Sequence, residues 1–460
     1  MTEARGLLTL KELTGLVEGG EVETVLAVFP DMYGRLMGKR ITGSFFLEEV
    51  AKSGMHACDY LLACDMEMDA VPGYKYTSWE TGYGDFHCVP DLATLRRAAW
   101  LPQTALVLCD LFDHHEKPVE VSPRRMLQRQ IERAREAGCT VMGGTEIELY
   151  VFDDSFAAAR AKNYHDLNPM GTYNEDYHIL QGTKEEDLVG AIRRHLDQSG
   201  VPVEFSKGEA GLGQQEINLR YSEVLTQADR NVLYKHAAKE IAWSQGKSVT
   251  FMAKWDEKHT GSSAHVHVSL WDAEGHTNLF PGDRKTGPVE ASDTFRWFLG
   301  GWLRHARALA ACWAPYVSSY KRYQSRSWAP TTIAWSYDNR TAGFRVVGRG
   351  PSLRIECRIP GADANPYILY AAAIAAGLDG IQNRIEPPEI FQGDVYAAQE
   401  LSRVPATLRE AIAEFEQSDL ARQAFGDDVY EHYLHFLRTE QRKFDEVVTC
   451  WERARYFERA

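Results

Sequence analysis

Four short stretches of this chain alternate acid, imidazole or guanidinium groups with aliphatic ones, and that alternation narrows what it can fold into. They are GGTEIELYVF (143–152), KGEAGLGQQEINLRY (207–221), SSAHVHVSLW (262–271) and LRIECRIP (353–360). In an extended strand, side chains two apart share a face. Glu146 and Glu148 therefore lie together with Ile147 and Leu149 behind them. His265 and His267 lie together over Val266 and Val268, and Arg354, Glu356 and Arg358 over Ile355, Cys357 and Ile359. Such strands bury one apolar side and collect charge on the other. Glu146, Glu148, Glu209, Glu216 and Glu356, with His265, cannot be buried together unless cations neutralise them. The donor set suits hard divalent ions, Mg²⁺ or Mn²⁺. The neighbouring arginines suit phosphate. Together they predict phosphoryl transfer from a nucleotide.

The 460 residues suffice for two or three domains with a large core. A formal net charge of -14 argues against nucleic acid or a membrane surface as partner. The richest apolar run, YILYAAAIAAGLDGI, is too short to span a bilayer. Asn365 and Pro366 before it read as an N-cap and first helical residue, so a buried helix is expected. The opening MTEARGLLTLKELTGLVEGGEVE is mixed and acidic, unlike a secretory leader. Eight scattered cysteines without CxxC spacing read as reduced cytoplasmic thiols.

Residues 1 to about 110 read as a small strand-rich unit, with TVLAVFP, DYLLACDMEM and TALVLCDL as strand candidates. From Ser122 onward, strand candidates alternate with long helices. The clearest are PRRMLQRQIERAREAG, ADRNVLYKHAAKEIAWSQG, DTFRWFLGGWLRHARALAACW and VPATLREAIAEFEQ. Helices and strands in uneven order predict an α+β fold rather than a doubly wound sheet. QGKS at 245–248 resembles the end of a P-loop, but position 241 is Ile where that loop needs glycine.

Singly, HVH, ExE or RxExR could sit on any solvated strand. In this order they resemble the glutamine synthetase family over nearly the whole chain. TEIELYVF resembles its E-x-E strand and GEAGLGQQEINLRY its E-x-x-x-G-Q-x-E segment. TFMAKWDE, GSSAHVHVSL, YKRYQSRSWAPTTIAWSYDNRTAGFRV and RIECRIPGADANPYILYAAAIAAGLDGI continue the match to the terminal VTCWERARYFE. The resemblance implies a β-grasp-like N-terminal domain, residues 1–112. A catalytic domain on a curved antiparallel sheet with helices, residues 113–460, would follow. It implies an ATP-dependent glutamate–amine ligase working through γ-glutamyl phosphate, in a homo-oligomer, a dodecamer. One ion would be held by Glu148, Glu209 and Glu216, the other by Glu146, His265 and Glu356. Arg340, Arg345 and Arg354 would hold phosphate, and Arg322, Arg358 and the Gly261 backbone glutamate. Arg345, Arg340 and Arg358 would serve catalysis, and His267 and Ser269 would meet the nucleotide.

The departures bear on the amine. Ammonium-using relatives carry a glutamate just before the A-P pair, where this chain has Trp328, and their D-G-S-S segment is absent from residues 40–75. Thr260 also replaces the asparagine expected before Gly261. Two anions are lost and an indole gained, which suits an alkylammonium better than bare ammonium. The pattern resembles the actinobacterial γ-glutamylamide ligases, with ethanolamine expected as the amine and a polyamine as the alternative. Glutamine synthesis with ammonium, or a catalytically silent nitrogen-sensing scaffold, are further readings. Asp59, Asp65 and Glu67 alternate along the strand candidate 59–69 as possible bases for the amine. Tyr396 lies near the tyrosine that some relatives adenylylate, but GDVYAAQ lacks the N-L-Y-D-L-P setting, so no modification is expected.

Overall fold

Two β-sheets, packed through shared apolar layers, organise a computed structural model that describes residues 5–460. The first sheet comprises β1 (Thr24–Pro30), β2 (Leu36–Thr42), β3 (Met55–Cys58), β4 (Asp85–Pro90), β5 (Arg96–Arg97) and β6 (Thr104–Phe112). Its order is β2-β1-β6-β4-β3, with β5 on β6 and the central pair β1–β6 parallel. Both central strands are nearly continuous apolar runs because both faces are covered. Val25, Ala27 and Phe29 face one core, while Leu26 and Val28 join Leu106, Leu108, Ile147 and Leu149 in the other.

The second sheet holds the motifs. Its strands are β7 (Thr140–Phe152), β8 (Val203–Gly208), β9 (Gln214–Glu223), β10 (Ser248–Thr250) and β11 (Ala264–Trp271). After the separate hairpin β12 (Pro281–Thr286) and β13 (Val289–Ala291) come β14 (Trp335–Tyr337), β15 (Phe344–Val347) and β16 (Arg354–Cys357). The order is β14-β15-β16-β11-β7-β9-β8, with β10 on β7. All pairings are antiparallel except β14–β15, so the expected antiparallel sheet carries one parallel pair at its edge.

Ile147, Leu149 and Val151 pack with residues of the helices Ile179–Asp197 and Val224–Ser244, whereas Val266, Val268 and Ile355 share a core with the helix Pro366–Gln382. That last helix starts as its sequence predicts: the Asn365 side chain accepts from the Tyr367 N–H at 3.1 Å and Pro366 opens the first turn. Its residues are buried on nearly every side, and among the described residues no helix is long and apolar enough to cross a membrane.

Two local expectations fail. Residues 59–69 are not a strand. Asp59–Leu62 form a 3₁₀ turn, and beyond it Asp65 accepts the Asp69 N–H at 2.8 Å while Met68 turns at φ 71. A carboxylate that can bond its own following backbone favours such a turn over an extended run. The long helix expected from Asp293 also breaks, giving Asp293–His305 and a short Ala310–Trp313.

Candidate active site

Strand register alone assembles the charged face. Lys207 pairs with Glu216, Glu216 with Glu148, Glu146 with His265, His267 with Glu356, and Glu356 with Arg345. Residues as distant in sequence as Glu146 and His265 are thereby set side by side at cross-strand spacing.

Three groups of donors stand with their ligand atoms within 4.8 Å of one another: Glu148, Glu209, Glu216; Glu146, Glu216, His265; and Glu146, His267, Glu356. The first matches the expected set for one ion. For the second, the structure distributes Glu146, His265 and Glu356 over two overlapping groups and adds His267, which sequence had placed with the nucleotide alone. His265 Nδ1 lies 3.2 Å from Glu146 and 3.9 Å from Glu356, and His267 Nε2 lies 3.0 Å from Glu146.

The electrostatics fit a cation. Burial, then the charges of Glu146, Glu209 and Glu148, pushes the Glu216 carboxyl up to about 9. Burial and then Glu209 raise Glu148 to about 7, against the Ser263 hydroxyl and N–H that donate to it at 2.5 and 2.8 Å. Burial would also raise Glu146, but hydrogen bonds from His265 and His267 outweigh it and hold that carboxyl far below the usual range. Burial, then the neighbouring Arg358 cation, lowers His265 to about 4, leaving it a neutral imidazole. Acids crowded until they hold protons, beside a neutral imidazole, are the donor set a divalent ion would convert to ligands by displacing protons.

A cavity of about 370 Å³ opens over these groups. It is lined by Glu146, Glu148, Glu209, Glu216, Gly261, His265, Arg322, Trp328, Arg340, Arg345 and Arg358. A second cavity of about 540 Å³ shares Glu146, Phe205 and Asn218 with the first and is lined by His267, Ser269 and Arg354. The residues expected around phosphate and nucleotide are thus split across two adjoining spaces. Glu356, fully buried, accepts from Arg345 at 2.8 Å and Arg358 at 2.6 Å. The Nε of both arginines is buried without a partner, a donor left for an anion. Arg322 donates to the carbonyls of Ile359 and Arg358. Gly261 has no room for a side chain, since a Cβ would stand 2.6 Å from Arg322 Cγ.

Trp328 lines the first cavity, 60% exposed, with its backbone at φ 64. The left-handed region costs a bulky residue about 1–2 kcal/mol, and such strain concentrates at functional sites. The loop is pinned from behind, because the Tyr396 hydroxyl donates to the Ala329 carbonyl at 2.8 Å. The three candidate bases stand elsewhere. Asp59 accepts from the Thr77 hydroxyl and the Gly84 N–H, Asp65 is buried and pairs with Lys443, and Glu67 also meets Lys443; none lines the cavity.

Sequence reading missed Asp176, Tyr177, Phe205 and Lys207, all in the cavity wall. Lys207 has a legible signal, being two residues before Glu209 on a strand; the loop residues Asp176 and Tyr177 have none. It also gave no role to Gln214, which donates to Glu148 at 3.0 Å and to the Gly261 carbonyl at 3.1 Å, tying a site carboxylate to the Gly261 loop.

Residues 120–456 match the family model for the glutamine synthetase catalytic domain. The chain is 46% identical over 452 residues to gamma-glutamylethanolamide synthetase GlnA4 of Streptomyces coelicolor, covering 98% of this chain and 96% of that one. It is 35% identical over 445 residues to a glutamate–isopropylamine ligase of a Pseudomonas species, covering 96% of each. The solved structure of apo GmaS without ligand superposes with a TM-score of 0.84 at 27% identity, covering 97% of this chain and all of that one.

Proposed function

The chain belongs to the glutamine synthetase family and is an ATP-dependent glutamate–amine ligase, and from that premise we propose that it joins the γ-carboxylate of glutamate to a short organic primary amine, ethanolamine first. The observation that carries this reading is Trp328, an exposed indole in the wall of the carboxylate-lined cavity. The name of the 46% identical relative supports the same amine.

Glu148, Glu209 and Glu216 would hold one divalent ion, and Glu146, His265 and Glu356, with His267 beside them, a second. When bound, Mg²⁺ or Mn²⁺ neutralises charge on ATP and on the carboxylate that attacks it. Arg340 and Arg345, with Arg354 from the adjoining cavity, orient the phosphates. Arg322, Arg358 and the Gly261 backbone hold glutamate, and His267 and Ser269 face the nucleotide. The γ-carboxylate attacks the γ-phosphate of ATP and releases ADP. The alkylammonium gives up one proton to free its lone pair, the amine nitrogen attacks the γ-glutamyl phosphate, phosphate leaves, and the nitrogen gives up a second proton as the amide forms. Residues to 112 would form an N-terminal unit and residues from 113 the catalytic one. Val447, Val448, Trp451 and Phe457, all exposed at the C-terminal end, support assembly into a homo-oligomer, a dodecamer in this reading. Eight free cysteines support a reducing, cytoplasmic setting.

Burying one aliphatic carbon contributes about 0.8 kcal/mol. Two carbons against the indole favour an ethylamine-like substrate by roughly tenfold before any hydroxyl contact is counted. Phosphate release with saturating glutamate and ATP, compared at equal ammonium, ethanolamine and putrescine, tests this. Ethanolamine is expected to lead, and Trp328→Glu to move the ratio toward ammonium. Ammonium outperforming every organic amine would return the chain to glutamine synthesis, and putrescine leading would make it a polyamine ligase.

A further inference from the structure

Between β16 and the central helix runs the segment GADAN, residues 361–365. Its Asn365 caps that helix, whereas Asp363 bonds two segments that come from elsewhere in the chain. Asp363 Oδ2 accepts from the Ser319 hydroxyl at 2.7 Å and, more weakly, from the Ala253 N–H at 3.4 Å. Ser319, 1% exposed, lies in the 3₁₀ turn Val317–Arg322, which ends on Arg322. The Ala253 carbonyl accepts the Ser262 N–H at 2.9 Å, and a Cβ on Gly261 would stand 2.8 Å from that same oxygen. Ala253 therefore fixes the backbone at Gly261. The segment around Asp363 closes the ring, because Arg322 donates to the carbonyls of Ile359 and Arg358 at 2.7 and 3.0 Å, and the Ala362 N–H donates to the Ser262 carbonyl at 3.1 Å. Behind it, Lys235 donates to the Ala364 carbonyl at 2.8 Å. Burial raises the Asp363 carboxyl, and the Ser319 hydroxyl, then the Lys235 cation, oppose that rise.

Resting on the assignment of glutamate to Arg322 and the Gly261 backbone, we infer that Asp363 is a positioning residue for that substrate. Its carboxylate sets the Arg322 turn against the Gly261 loop, so that a guanidinium and a backbone group meet one amino acid at a fixed spacing. Three observations carry it. First, the partners of Asp363 lie 44 and 110 positions away, so its bonds join separate segments and not one local turn. Second, both segments lead to residues that line the cavity, Arg322 and Gly261, while Asp363, Ser319 and Ala253 do not line it. Third, Oδ2 carries both bonds and Oδ1 is buried without a partner, so the position supplies a single acceptor atom. The two groups it sets are in tight contact, since a Cβ on Gly261 would stand 2.6 Å from Arg322 Cγ. Slack in either segment would shift both, and a displacement of about 1 Å at a substrate clamp can cost up to about 100-fold.

Steady-state kinetics with glutamate, ATP and amine varied in turn, beside melting temperatures, test this. Asp363→Ala and Ser319→Ala are each expected to raise the glutamate KM about tenfold, with kcat and the KM values of ATP and amine little changed, because binding lost equally from ground and transition states appears in KM alone. Combining Asp363→Ala with Ser319→Ala is expected to do no more than Asp363→Ala, since both remove the same bond. Asp363→Asn, whose amide oxygen can take the place of Oδ2, is expected to keep the glutamate KM within about twofold of wild type. Arg322→Lys checks the assignment beneath the inference and is expected to raise the glutamate KM at least as far as Asp363→Ala. If Arg322→Lys raises it while Asp363→Ala and Ser319→Ala leave it unchanged, the inference alone is overturned. If Arg322→Lys leaves it unchanged, the assignment falls and the inference with it. A parallel rise in all three KM values, or Asp363→Asn as impaired as Asp363→Ala, would reduce Asp363 to a structural charge and overturn the inference as well. Where Asp363→Ala does not fold, Ser319→Ala and Asp363→Asn decide by the same readings.

Discussion

Glu216 and Glu356 are both buried carboxylates of the site, yet they ask for different partners. Glu356 accepts hydrogen bonds from Arg345 and Arg358, and although burial opposes it, the Arg358 cation, then His267 and His265, hold its carboxyl down to about 2. Glu216 is crowded by acids and held up to about 9. Glu216→Gln is therefore expected to raise the melting temperature of the metal-free protein near pH 7 while weakening Mn²⁺ binding at least tenfold, the usual opposition of stability and function. Glu356→Ala is expected to lose turnover and also about 3–5 kcal/mol of stability, because it strands two guanidinium groups. Thermal melting and calorimetric Mn²⁺ titration separate the cases, and equal destabilisation by both would refute the contrast. Behind the site, the fully buried Glu175 and Glu185 both meet the amide of Gln215, and Glu175 also accepts the Gly213 N–H at 3.0 Å. Burial, then Glu185, pushes Glu175 up to about 8. An acid whose folded pKa is raised binds its proton more tightly when folded, so stability falls as pH rises from its unfolded value of 4.5 to about 8. Glu175→Gln, which keeps an oxygen for Gly213, is expected to flatten the fall in melting temperature between about pH 6 and pH 8, inside that window; an unchanged slope would count against the raised Glu175 carboxyl. The site acids were legible in sequence because strand alternation is a local signal. Glu175 and Asp176 were not, since they lie in a loop whose partners are set by tertiary packing.

The element that most directly places the metal-type ligands is the β8–β9 hairpin with its turn at Glu209–Gln214. Gly211 donates to Gln214 Oε1 at 3.0 Å, and Gln214 in turn holds Glu148, so one turn sets both ends of a ligand group. A Cβ on Gly211 would stand 2.0 Å from the Tyr150 hydroxyl and 2.7 Å from Gln214 Oε1. Gly211→Ala is expected to cost about 1–3 kcal/mol by overpacking and to impair Mn²⁺ binding well beyond that loss, because it pushes Gln214 off Glu148. Normal Mn²⁺ affinity in a destabilised Gly211→Ala protein would show the turn to be mere packing. The E-x-x-x-G-Q-x-E spacing made this segment visible, whereas the 59–69 segment misled for the opposite reason. Its apolar and acidic residues alternate as a strand would, but Asp65 found its partners in its own turn and in Lys443, far along the chain. No local period can report a partner at such separation.

At the scale of the molecule, the two sheets must hold a fixed relation for the cavity to keep its shape, and a single cation does much of the joining. Arg124, 2% exposed at the start of the helix Pro123–Glu136, bonds Asp91 at 2.7 Å and Asp110 at 2.5 Å from the first sheet's side. It also bonds Asp229 at 3.1 Å on the helix behind β7 and β9, and Tyr367 of the central helix donates to Asp229 at 2.7 Å. The residue types were in plain view in sequence, but their meeting was not, because no period links positions 91, 110, 124 and 229. The α+β class was legible since it follows from element order alone. A guanidinium spreads five donors over a rigid planar fork that reaches three separated carboxylates at once, whereas an ammonium gathers its three donors at a single point. Arg124→Lys is therefore expected to destabilise despite keeping the charge, and Arg124→Ala to cost about 3–5 kcal/mol by leaving Asp229 buried and unpaired. Because the clamp lies between the sheets and not in the cavity wall, the KM values for glutamate, ATP and amine should stay near wild type while the folded fraction falls in denaturant titrations. If Arg124→Ala instead left stability intact and altered only the kinetic constants, the clamp would have to be reassigned from joining the sheets to shaping the site.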